Sequence, residues 1–62
     1  MYKQALEWAL KQTVVTNEGD HIPLNENRVP HFIVEKVREY FNQHNIEYDT
    51  FSYDDLAPFL QQ

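Results

Sequence analysis

A chain of 62 residues with a net charge of −5 and no cysteine has room for one domain, residues 1–62, and none for a disulfide staple or thiolate chemistry. A domain of this size buries only about 60% of the surface its unfolded chain exposes, so its nine aromatic residues or self-association must compensate. The negative balance speaks against nucleic-acid binding, which needs a basic face to displace counterions from phosphate, and the absence of any apolar run near ~18 residues speaks against a membrane span.

The first element is expected to be a helix. In MYKQALEWALKQ, Tyr2, Ala5, Leu6, Ala9 and Thr13 recur at helical spacing and Leu10 widens the stripe. Lys3, Glu7 and Lys11 fall on the opposite face, where each lysine can reach Glu7. This mixture of charged and apolar residues is not a secretory leader, so a cytoplasmic protein is expected. Trp8 lies on the flank of the stripe. It suits the rim of a core, and it equally suits an interface anchor, because Trp is enriched at binding hot spots.

The β-branched run TVVT, residues 13–16, prefers extended backbone. NEGD follows with the only glycine, and Gly19 can close a three-residue hairpin loop with a left-handed bulge. HIPL, residues 21–24, reads as the return strand, with Pro23 confined to an edge or bulge. The rival for this stretch is a longer first helix followed by a loop.

After the polar connector NENR, Pro30 suits the first turn of a second helix, expected over His31–His44. Ile33, Val34, Val37, Tyr40, Phe41 and His44 form its apolar stripe, and Asn45 is a left-handed C-cap. IEYDTF then alternates. It predicts a third strand with Ile46, Tyr48 and Thr50 on one face and Glu47, Asp49 and Phe51 on the other, completing a three-stranded sheet.

Ser52 and Asp55 stand in capping-box spacing before an apolar run, and Phe51 and Leu56 occupy the two positions of a hydrophobic staple. A last short helix follows, with Leu56, Phe59 and Leu60 as its buried face and Pro58 kinking or shortening it. The fold class is therefore α+β: helix, β-hairpin, helix, strand, short helix. An all-α three-helix domain is the alternative.

Chemistry-bearing patterns are sparse. His21, His31 and His44 have no helical i, i+4 pairing, so no metal site is expected. Ser52 is the only serine and has a capping role; there is no nucleophile elbow and no glycine-rich phosphate loop. No catalytic residue, no cofactor and no enzymatic activity are expected. The charge is uneven, however. Residues 1–44 hold six acids and five bases, whereas residues 45–62 hold Glu47, Asp49, Asp54 and Asp55 with no base.

The capping motif explains Asp54 and Asp55 through the helix dipole, leaving Glu47, Tyr48, Asp49 and Tyr53 without a local structural role. With Trp8, these four are the expected protein-binding residues. The expected function is a small acidic protein-interaction module: an inhibitor, antitoxin-like neutraliser, adaptor or regulatory subunit with a protein partner, a basic one if Glu47 and Asp49 steer it. Two alternatives stand beside it. One is an acidic nucleic-acid mimic that competes for a basic protein; the other is a homo-oligomeric structural protein, for instance a homodimer.

Overall fold

The computed structural model describes residues 1–61. Its elements are α1 (Tyr2–Leu10), β1 (Thr13–Val15), β2 (His21–Pro23), α2 (Pro30–Gln43) and α3 (Tyr53–Leu60). The class is α+β, with the hairpin between the first two helices as expected. Among the described residues no helix is long and apolar enough to cross a membrane.

Helix α1 ends at Leu10, earlier than the apolar spacing suggested. Thr13 therefore leaves the helical stripe and opens β1, where the β-branched run takes over. Gln12 marks the change: its backbone N–H still bonds back to the Ala9 carbonyl at 3.0 Å, while its own carbonyl accepts from Leu24 N–H at 2.8 Å. Strands β1 and β2 pair antiparallel with Val14 opposite Ile22. Gly19 N–H donates to the Thr16 carbonyl at 2.9 Å and Thr16 N–H to the Asp20 carbonyl at 2.9 Å. Gly19 has φ +85°, so the loop is a turn closed by a left-handed glycine bulge.

Pro23 fits the ladder because of its parity. Gln12 and Leu24 are bonded, as are Thr16 and Asp20; in an antiparallel pair the bonded positions alternate. Pro23, opposite Thr13, therefore falls where the ladder requires no N–H.

Helix α2 starts with Pro30 at its first position and Val29 as an extended N-cap. It ends in a Schellman motif. Asn45 adopts φ 55°, Ile46 N–H returns to the Phe41 carbonyl at 2.9 Å and Asn45 N–H to the Asn42 carbonyl at 3.3 Å. His44 is the C-cap and is exposed, so it does not extend the apolar stripe. Among the described residues the one ion pair is Lys36–Glu39 at 3.1 Å; Glu7 pairs with neither Lys3 nor Lys11.

The sheet has two strands; residues 46–51 do not join it, and the expected three-stranded sheet is not formed. The reason lies in the aromatics. Ile46 and Tyr48 pack against the core, and so does Phe51, at 6% exposure. A regular strand would turn Phe51 to the face opposite Ile46 and Tyr48. Burying all three breaks the period of two, and pairing with the hairpin is lost.

Helix α3 opens on the expected capping box. Ser52 N–H donates to Asp55 Oδ2 at 2.9 Å. Asp55 N–H reaches back to the Ser52 carbonyl at 3.1 Å. Phe51 and Leu56, the staple positions, are both buried. The helix continues through Pro58 to Leu60, at the cost of the bond the Asp54 carbonyl would otherwise accept. Phe59 is not part of the buried face: it is 39% exposed and lies edge-on to Tyr2, with ring centroids 5.9 Å apart.

The core joins all three helices to the hairpin. Its largest fully buried side chains are Phe41, Leu24, Ile33, Leu56 and Val37, each contributing roughly 1.5–3 kcal/mol relative to exposure. Phe41 is the hub of an aromatic cluster, within 6.2 Å of the rings of Tyr2, Tyr40, Tyr48 and Phe51. Leu24, just past the end of β2, ties the hairpin to that core.

Candidate protein-binding surface

The chain after α2 is turned back by Asn45 and then held by its alternate side chains. Ile46 is half-buried. Tyr48 is half-buried as well, its ring 5.0 Å from that of Phe41 and 5.7 Å from that of Phe51. Such aromatic pairs each contribute about 0.5–1.5 kcal/mol beyond their burial. Tyr48 thus has a structural role that the sequence did not disclose. It anchors the segment, and the anchoring fixes what lies on either side of it.

What lies on either side is Glu47 and Asp49, both exposed. They border an open depression with Met1, Ile46 and Tyr48. Neither carboxylate has a cationic or hydrogen-bonding partner among the described residues; the shortfall of bases in this half of the chain is visible as two uncompensated charges. Because the segment is not a sheet strand, strand geometry does not set the spacing of the two charges.

The remaining expected residues lie elsewhere. Tyr53, in the first turn of α3, is half-buried and lines a groove between α3 and the first half of α2, with His31, Val34, Arg38 and Ser52. Trp8 projects from α1 onto α2. Its ring is 5.8 Å from that of Tyr40, which in turn lies 4.3 Å from the His44 ring. Trp8 also packs against the core. The five residues thus divide into three places: Glu47, Tyr48 and Asp49 together, Tyr53 in the α2–α3 groove, and Trp8 in a row with Tyr40 and His44.

Two features of the surface escaped the sequence reading. Ile46 and Met1 line the depression beside Glu47 and Asp49; alternation puts Ile46 on the face of Tyr48, but nothing in the local pattern marks Met1. Tyr40 and His44 share a helix face by their i, i+4 spacing; their row with Trp8 is a contact between α1 and α2, which that spacing does not disclose. Among the described residues no group of three or more His, Asp or Glu side chains is arranged to hold a metal ion. No protein-family model, curated protein or solved structure matches the chain.

Proposed function

We propose that this is a small cytoplasmic protein-interaction module that acts by binding a basic protein partner, with Glu47, Tyr48 and Asp49 at the centre of the contact. The observation that carries this reading is the pair of exposed, uncompensated carboxylates set on a segment that the Tyr48 ring fastens to Phe41 and Phe51. A charged group on a loose loop loses conformational freedom when it binds; a group on an anchored segment has already lost much of it. Opposite charge on the partner raises the association rate and aligns the two surfaces. The exposed edge of Tyr48 adds the kind of amphipathic contact that interfaces favour.

The test is capture of partners by the tagged chain from a native lysate, followed by the double substitution Glu47→Gln with Asp49→Asn. Capture of a protein with a basic surface, weakened by added salt and lost in the double variant while circular dichroism is unchanged, is the expected result. Capture that survives the double substitution would overturn the assignment. Trp8→Ala should leave this binding in place, because Trp8 belongs to a different part of the surface.

A further inference from the structure

The hairpin has two outer edges, and they differ. The bonded pairs Thr16–Asp20 and Gln12–Leu24 fix the alternation, so Val14 faces β2 while Thr13 and Val15 direct their N–H and C=O groups away from it. On β2 the outward positions are His21 and Pro23, and Pro23 has no N–H to offer. That edge is closed in the manner natural sheets use. The β1 edge has no such guard. Its sequence TVV carries no charge and no proline, Val15 is 57% exposed, and no turn, loop or side-chain hydrogen bond among the described residues reaches the outward groups of Thr13 or Val15.

We propose that β1 pairs with β1 of a second copy of this chain, antiparallel about a two-fold axis at Val14, to make a four-stranded sheet with β2 outermost on each side. In this register Thr13 of each copy lies opposite Val15 of the other, and each of the two pairs exchanges both N–H···O bonds. The exposed Val15 side chain then packs beside Thr13 of the second copy as a β-branched cross-strand pair.

The charges flanking β1 select a second copy as the occupant. Lys11 precedes the strand and Glu18 follows it; both are exposed, and neither is in an ion pair. Antiparallel self-pairing carries Lys11 of each copy toward the Asn17–Glu18 turn of the other. Parallel pairing would set like charges side by side. Between those flanks, residues 12–16 are uncharged, so the seam avoids repulsion between two molecules that each carry −5. The shared edge is short and buries far less than the ~1,200 Å² of a standard stable interface. The dimer is therefore weak and depends on concentration. This surface is separate from the one assigned to a basic partner and does not depend on that assignment.

Sedimentation equilibrium of the full chain from micromolar to millimolar concentration, with amide NMR spectra of the same samples, tests the pairing. The mass should rise from 7.5 kDa toward twice that value, and the Thr13 and Val15 amide signals should move with concentration. Val15→Lys, at an exposed position, should keep the folded chain monomeric throughout. Lys11→Glu should weaken association several-fold, and adding Glu18→Lys should restore it. A wild-type chain that stays monomeric at millimolar concentration, or a dimer that Val15→Lys leaves intact, would overturn the proposal. Failure of the charge reversal to restore association would overturn the antiparallel register.

Discussion

The hairpin and the segment from Asn45 to Asp55 are both short and both pack a few apolar side chains onto the same core, yet one is a regular strand pair and the other an irregular run, and they present different groups outward. The second region is tied at its two ends. Ile46 and Asn45 bond back into α2, and Ser52 bonds forward to Asp55; between those ties residues 47–51 are irregular and are held by side-chain packing, with exposed charge on Glu47 and Asp49. The hairpin satisfies only its inner edge. What it leaves outward is backbone, at Thr13 and Val15, on a strand without charge. The contrast separates two kinds of surface on one small molecule. An acidic side-chain surface selects by charge and is screened by salt, whereas a strand edge selects by shape and register.

The comparison can be broken from the core outward. Phe41→Ala should have the largest effect, about 3–5 kcal/mol, because Phe41 holds Tyr48 and Phe51 as well as α1. A single core in a domain of this size rarely supplies more than about 3–5 kcal/mol in total, so chemical denaturation should find this variant largely unfolded in buffer. Leu24→Ala should cost about 2–5 kcal/mol. If the two regions are separately tied down, amide exchange in this variant should quicken first at the bonded hairpin amides Val14, Thr16 and Ile22 and only later at Ile46 and Ser52.

Smaller substitutions sharpen the contrast. Gly19→Ala places a side chain where nothing lies within 4 Å, so its cost is purely conformational. For a left-handed residue that is about 1–2 kcal/mol, read from the shift in the urea midpoint, and the strand edge should loosen with it. Ser52→Ala removes one side of the cap and should cost about 1 kcal/mol. The Asp55 carboxylate still accepts from the residue-52 N–H in that variant, so α3 should fray without releasing Phe51 from the core.

Much of the fold was legible because its signals are local. A glycine three residues after a β-branched run, an asparagine after a helical stripe, and a serine three residues before an aspartate each specify a turn or cap through chemistry confined to four or five neighbours. The path of residues 46–51 was not legible, because alternation in IEYDTF competes with the attraction of an aromatic cluster built from Tyr2 and Phe41, both distant in sequence. The exposure of Phe59 has the same origin: the burial of that helix face depends on what α1 presents to it.

The candidate surface was legible in part. Glu47 and Asp49 stand out in the sequence because no local motif uses them, and among the described residues no ion pair or side-chain hydrogen bond engages them. Tyr48 stands out for the same reason, but its ring packs on Phe41 and Phe51, contacts that neighbouring residues in the sequence do not disclose. Trp8 and Tyr53 share composition with this surface and not location. Local chemistry identifies unused residues; only the tertiary arrangement says which of them stand together.

Residue-resolved amide hydrogen exchange of the wild-type chain, at a dilution where it is monomeric, tests the division between the two regions most directly. Thr13 and Val15 should exchange at rates close to those of an unstructured peptide, while Val14, Ile46 and Ser52 are slowed. Protection at Thr13 and Val15 in the dilute monomer, or exchange at Ile46 and Ser52 as fast as at those two, would contradict it.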